Sequence, residues 1–263
     1  ATARLRIIVP EDRSYALSFY SNDYSDRIYI NGELRGSAGT PGETPEEMVP
    51  GWEYFLFEAR PVDGVIEILR QGSNFVHKDT ANFVGIEIGK IEIIKQKRDV
   101  EYVFSSIIMG LFLGLFVVHI VLYLIISDFR PNLWFALFCL FWCIRTGFVD
   151  EKPLWGALPD IPWVLVYKLG CISIASSGIL ILMIVHDEFE GVLNKWVVRI
   201  IILGYALYII YYIFADTLSI SNVKIGPEIL MGIMGIYIAI RLVLVMHARF
   251  KSGEVGFEQV ISI

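Results

Sequence analysis

Residues 103–126 read VFSSIIMGLFLGLFVVHIVLYLII, a run of 24 residues with no formal charge unless His119 is protonated. At the rise of an α-helix this run is about 36 Å long, enough to cross a hydrocarbon layer of about 30 Å with some tilt. The sequence before it alternates in short β-rich pieces. The sequence after it is more apolar helix. The chain therefore divides into a water-exposed β-module and a helical membrane bundle, and 103–126 is the join.

The composition agrees with this division. Hydrophobic residues make up 55% of the 263, and the mean hydropathy of +0.58 is too high for an ordinary soluble domain of this size. The net charge of -6 and the lack of a basic stripe with interleaved aromatics exclude nucleic acid as a partner. Cys139, Cys143 and Cys171 all lie in apolar runs, so the β-module has no disulfide framework, and no cysteine spacing suggests zinc. Ala1 opens a strand-like segment instead of a charged n-region and an apolar h-region, so no signal peptide is expected in these residues.

In the head, strands are expected at residues 4–9, 15–20, 27–30, 54–58, 65–69 and 86–94. Turn signals separate them: Pro10-Glu11-Asp12, Asn31-Gly32, Thr40-Pro41-Gly42 and Asp63-Gly64. This spacing predicts an all-β sandwich in which Asn31-Gly32 makes a tight hairpin. The loop at 36–51 is long and rich in Pro, Gly and Glu, a pattern of functional or mobile loops.

RIYINGELRGSAGTPGETPEEMVPGWEYFLF (27–57) and GVIEILRQGSNFVHKDTANFVGIEIG (64–89) resemble galactose-binding-like jelly rolls. Asn31-Gly32 and Ser73-Asn74-Phe75 carry the resemblance. It is strongest to the heads of bacterial seven-transmembrane receptors with diverse intracellular signalling modules. In that family a Gly pair often follows the later turn, where this chain has Asp79-Thr80-Ala81-Asn82. FVVHIVLYLI…PNLWFALFCLFWCIRTG, with His119, Phe135–Cys139 and Arg145, is similar to the first two spans of the same receptors. The resemblance implies a jelly-roll sensor head, a seven-helix bundle and a cytoplasmic output module in the same chain, such as a kinase, cyclase or phosphatase.

Candidate ligand-binding residues in the head are Trp52, Tyr54, Asn74, His77 and Lys78. Aromatic rings beside amide and charged donors suit a carbohydrate, whose CH faces stack while its hydroxyls need fixed partners. The same residue types also serve as sandwich core, turn formers and solvated loop residues.

The fold class is thus an all-β jelly-roll sandwich head, residues 1–98, followed by an α-helical transmembrane bundle, residues 103–263. Spans are expected at 103–126, 133–149, 161–185, 196–214 and 225–246, and a sixth helix is expected to start at Val255. Arg130, Lys195, Arg199, Arg249 and Lys251 fall in the first–second, third–fourth and fifth–sixth connections. Only Lys152 and Lys224 fall in the other two. That bias puts the first set in the cytoplasm and the head outside an inner membrane, although Lys95, Lys97 and Arg98 pull the other way.

His119, Arg145, Lys168, Glu228 and Arg241 are polar side chains that lie within the spans. By helical rise, Arg145 and Lys168 sit roughly 20 Å from the cytoplasmic boundary, and His119 and Arg241 about 10 Å from it. Two arrangements fit: a charged collar in which Glu228, with Asp150 and Glu151, pairs with Arg145 and Lys168, or cations snorkelling to the headgroups. His119 reads as a packed, hydrogen-bonded histidine more readily than as a proton relay.

There is no Walker loop, no HExxH and no nucleophile elbow, and no catalytic residue, metal site or cofactor is expected. The reading is a membrane receptor whose expected partners are the bilayer, a carbohydrate or other small ligand, the output module and a second copy in a homodimer. The alternative is a transporter with an accessory substrate-binding β-domain, which would favour inverted repeats. A membrane-anchored binding module would need only one helix.

Overall fold

The computed structural model describes residues 1–78, 85–126, 129–149, 151–158 and 161–251. Asp79–Asn82, Asp150 and the helix start at Val255 lie outside the described residues. The chain forms two compact units. One comprises Ala1–Ser105 with Trp155–Tyr167 and Ala215–Asn222; the other comprises Ser106–Leu154, Lys168–Phe214 and Val223–Ile263.

The first unit is built on an antiparallel sheet of six strands: β1 (Thr2–Ile8), β2 (Tyr15–Ile30), β3 (Glu33–Ala38), β4 (Gly51–Ala59), β5 (Val65–Ser73) and β6 (Glu87–Gly89). Its spine is β2. The first half of β2 pairs with β4, Tyr15 opposite Ala59, and with β6, Ala16 opposite Gly89. The second half pairs with β5, Ile30 opposite Ile68, and with β3. Between the halves the register shifts at Asn22/Tyr24, and Asp23 takes a left-handed φ of 63°. This bulge sharpens the twist and curls the sheet into a half-barrel. The strands expected at 15–20 and 27–30 are therefore one strand. The polar run between them reads as a break, yet the bulge carries it through without ending the ladder.

The alternation that marks strands also builds the core. In β5 every second residue from Ile66 to Gly72 is buried. Leu17 and Phe19 of β2, Ile28 and Ile30 beyond the bulge, Phe55 of β4 and Ile66 and Ile68 of β5 form one hydrophobic cluster. Asn31 and Gly32 have φ of 50° and 86° and join β2 to β3, as a type I′ hairpin requires. Asp63 and Gly64 do the same before β5. The loop expected to be functional or mobile is tied down. Thr40 and Val49 exchange hydrogen bonds of 2.8 and 3.0 Å, and the Gly42 N–H donates to Ser73 Oγ at 3.0 Å.

The expected strand at 86–94 is corrected. Only β6 is extended, and α1 (Ile91–Ile125) begins one residue later. The IEIGKIEII pattern alternates like a strand, but the Ile93 and Ile94 N–H groups turn back to the Lys90 carbonyl and start a helix. Residues 95–102 are thus helical.

Helices α2 (Arg130–Phe148), α3 (Pro153–Ala157), α4 (Trp163–Glu188), α5 (Lys195–Phe214), α6 (Thr217–Val223) and α7 (Gly226–Lys251) follow. The two short helices, α3 and α6, lie in connections that the sequence reads as loops. Four segments are long and apolar enough to cross a membrane: α1, α4, α5 and Thr217–Lys251. The expected second span, α2, is not among them; it has 19 residues and carries Arg130 and Arg145. Within the second unit α4 and α5 approach closely at Gly178, where a Cβ would lie 2.2 Å from the Tyr205 ring. Small residues permit such close helix packing in the absence of a hydrophobic drive between helices.

Candidate functional site: the aromatic face of the head

The face of the sheet turned away from the core carries aromatics from two neighbouring strands. Tyr20 of β2 stands opposite Tyr54 of β4, their ring centroids 5.0 Å apart, and Trp52 lies 6.3 Å from Tyr20. Direct and diagonal cross-strand neighbours of this kind meet because same-face residues recur every second position. Into this patch α1 inserts Arg98. Its guanidinium lies 4.6 Å from the Tyr54 centroid, 5.6 Å from Tyr20 and 5.9 Å from Tyr102. Arg98 Nη1 also donates to the Tyr20 hydroxyl at 3.1 Å. Three ring faces and one hydroxyl hold a planar cation, an arrangement that suits arginine better than lysine. Burial pushes the Tyr20 phenol above its ordinary range, with Arg98 pulling the other way.

The remaining contacts of this face come from the helical connections of the same unit. Trp155 of α3 meets Trp52 edge-on at 6.3 Å. Trp163, the first residue of α4, donates its indole N–H to Asp23 Oδ1 at 3.1 Å and stacks on Tyr167 at 5.2 Å. Asp23 is the bulge residue, so the bulge re-aims a carboxylate at the connection. His77 is buried and sits edge-on to Tyr167 at 5.8 Å. The Lys78 N–H donates to Ser221 Oγ of α6 at 2.8 Å, while the Lys78 side chain is exposed. Asn74 closes the turn after β5 by accepting the Val76 and His77 N–H groups at 3.2 and 3.0 Å.

The five candidate ligand residues thus fall into two groups. Trp52 and Tyr54 lie on the patch with Arg98 and α3; Asn74, His77 and Lys78 lie in the turn that meets α4 and α6. Sequence reasoning did not select Tyr20, Asp23, Trp155, Trp163, Tyr167 or Ser221, and it used Arg98 only as a topology charge. The tryptophans flanking a polar break between apolar runs were the available signal, since such aromatics favour interfaces.

Behind the face, the head core holds a second polar group. Arg70 and Asp26 are 2% and 0% exposed and form an ion pair, with Arg70 Nε donating to Asp26 Oδ2 at 2.8 Å. Arg70 Nη2 reaches the Tyr24 hydroxyl at 2.9 Å, and the guanidinium lies 4.9 Å from the Phe19 centroid. Among the described residues Asp26 Oδ1 has no hydrogen-bond partner. Burial drives the Asp26 carboxyl above the usual carboxylate range, and Arg70 opposes it.

In the second unit each predicted polar residue that hydrogen-bonds has a packed partner. His119 Nδ1 lies 3.0 Å from Asn132 Oδ1 and its ring stands 4.5 Å from Phe135. Arg145 donates to the Gly170 carbonyl at 3.1 Å, Lys168 to the Ile213 carbonyl at 2.9 Å and Arg241 to the Val192 carbonyl at 2.8 Å. Glu228 is exposed in the first turn of α7. Among the described residues no ion pair joins it to Arg145 or Lys168, each of which donates to a backbone carbonyl. The described residues also contain no cluster of three or more metal-ligating side chains.

These features define the class: a β-sheet head on a multi-pass helical membrane protein. A family model described as 7TM diverse intracellular signalling matches residues 101–254, more than half of the chain, and the chain belongs to that family. The family is one of membrane receptors in signalling, and its domain is sensory, not catalytic. No curated protein matches the chain.

Proposed function

We propose that the chain is the sensing and membrane-spanning part of a receptor in a bacterial inner membrane. In this reading the head is extracytoplasmic and takes a small, carbohydrate-like ligand near Trp52, Tyr54 and the Asn74–Lys78 turn. The bundle passes the event to an output module on the cytoplasmic side.

One observation carries the proposal. The connections Trp155–Tyr167 and Ala215–Asn222 belong to the head's own compact unit, through Trp52–Trp155, Trp163–Asp23, His77–Tyr167 and Lys78–Ser221. A ligand that competes for Trp52 or His77 alters contacts with segments continuous with α4, α5 and α7. Its effect equals its difference in affinity for the two arrangements, and such couplings are typically about 1–3 kcal/mol. The head-out orientation rests on the same connections. They are the second–third and fourth–fifth ones, which carry two of the seven loop cations, while the other connections carry five.

The test is labelling of single added cysteines with an impermeant maleimide in intact spheroplasts, the parent chain serving as blank. Glu47→Cys is expected to label and Lys251→Cys only after permeabilisation. The reverse pattern overturns the orientation and, with it, the receptor reading.

A further inference from the structure

α1 runs unbroken for 35 residues, about 52 Å, which exceeds the hydrocarbon thickness by some 20 Å. Its first turns carry Glu92, Lys95, Lys97, Arg98, Asp99 and Glu101, so they lie in water. Yet Ile93 and Val100 in that same segment are 63% and 61% exposed. Lipid explains exposed apolar residues farther along the helix but not these two.

Both belong to a longer pattern. Ile93, Val100, Ile107, Gly114 and Val121 recur every seven residues, and a second set three positions on runs from Gln96 to Leu124. Every one of these positions is exposed. Alternating steps of three and four form the seam of a left-handed two-helix coil. The opposing faces of α1 are occupied by its own chain: Ile94 is buried, Arg98 is caged, and His119 meets Asn132. At the two seam glycines, Gly110 and Gly114, an added Cβ would meet nothing within 4 Å.

We propose that this seam is a homodimer interface, and that its occupant is α1 of a second copy of this chain. Two copies in one membrane share an orientation, so their α1 helices run parallel about a two-fold axis. Charge selects the same partner. With Ile93 at the first core position of the heptad, Glu92 and Lys97 take the two flanking positions that face each other across a parallel pair. Glu92 of one copy then meets Lys97 of the other, and the exchange occurs twice. Lys97 already pairs with Glu87 of its own chain, and its three donors allow both contacts.

Oxidative cross-linking of the whole chain in proteoliposomes tests the interface, with the parent chain as blank because it retains its three cysteines. Ile93→Cys and Val100→Cys are expected to give at least fivefold more covalent dimer than Lys95→Cys, which lies off the seam. Equal yields at all three positions, or none at any, overturn the proposal. Glu92→Lys added to Val100→Cys is expected to lower the yield severalfold, and Lys97→Glu added to both to restore it. A yield indifferent to Glu92→Lys removes the charge pairing and refutes the parallel register. Gly114→Leu disturbs nothing in its own chain, so it is expected to lower the Val100→Cys dimer without shifting thermal unfolding. An unchanged dimer yield with Gly114→Leu shows that the membrane half of the seam is not an interface.

Discussion

Replacing Arg70 by Met leaves the Asp26 carboxylate buried without its cation. Removing one partner of a buried pair costs about 3–5 kcal/mol. Asp26 is fully buried and its Oδ1 has no other hydrogen bond to fall back on. At equilibrium this is a loss of roughly two to four orders of magnitude in folded population. Hydrogen exchange of the β2 and β5 amides in the whole chain reads it directly, because Ile28 and Arg70 are paired across those strands. The penalty depends on pH with a defined sign. Burial raises the Asp26 carboxyl in the folded head, and without Arg70 it rises further. The folded state then holds the proton more tightly than the unfolded chain. The protonated acid's contribution to stability is complete below the ordinary carboxylate pKa and is lost as pH climbs through the raised one. Arg70→Met should therefore be mild near pH 4 and severe at pH 7. Asp26→Leu combined with Arg70→Met should recover most of the loss at pH 7, since an apolar pair of similar volume is often neutral or better. A penalty that is the same at both pH values, or a double variant as unstable as the sum of its singles, refutes the account of Asp26 as a charge held in place by Arg70.

Gly178→Ala drives a methyl into the Tyr205 ring and should cost about 1–3 kcal/mol, seen as a lower Tm in detergent; an unchanged Tm would mean that α4 and α5 part without loss. Glu228→Ala should lie within about 0.5 kcal/mol of the parent in the same melt, because the carboxylate is exposed and pairs with neither Arg145 nor Lys168. Trp163→Phe keeps the stack on Tyr167 but removes the donor to Asp23; it should cost about 1 kcal/mol, read as faster amide exchange at Gly51 and Trp52 opposite the bulge.

The division into β-head and helical bundle was legible because its signals are long and redundant. Twenty-four uncharged residues admit one reading, and Asn31-Gly32 encodes its turn through φ values that few other residues tolerate. Span limits at α4, α5 and α7 fall close to those expected because charged or Pro-containing loops flank them. What failed was local ambiguity. Ser21–Asp26 looks like a loop because polar residues dominate it, yet Ser25 and Asp26 are buried in the sheet, paired with Ser73 and Arg70. IEIGKIEII fits both periods, and only the turn at Lys90 decides between them. The candidate site was half legible for a different reason. Composition suggests that Trp52, Tyr54 and His77 have partners but not who those partners are. Trp163 and Ser221 lie 140 and 143 residues along the chain from their partners Asp23 and Lys78, and no spacing rule links them, or Trp155 to Trp52.

The join between β6 and α1 sets how closely the sheet and the helix are linked. An eight-residue flexible link would let the sheet move several ångströms before α1 felt it. Lys90 alone separates β6 from α1, which leaves two backbone torsions instead of sixteen. Those torsions are fastened on either side. Lys97 on the helix pairs with Glu87 on β6, and Arg98 on the helix is held by Tyr20 of β2 and Tyr54 of β4. The fasteners differ in chemistry. The Lys97–Glu87 pair is half exposed and contributes little by itself, whereas Arg98 combines a hydrogen bond with three ring faces on a partly buried patch. Arg98 is thus one contact that ties α1 to both β2 and β4, beside the covalent path through β6. It lies over Tyr20 and Tyr54, so the helix meets these two neighbouring strands from one face of the sheet.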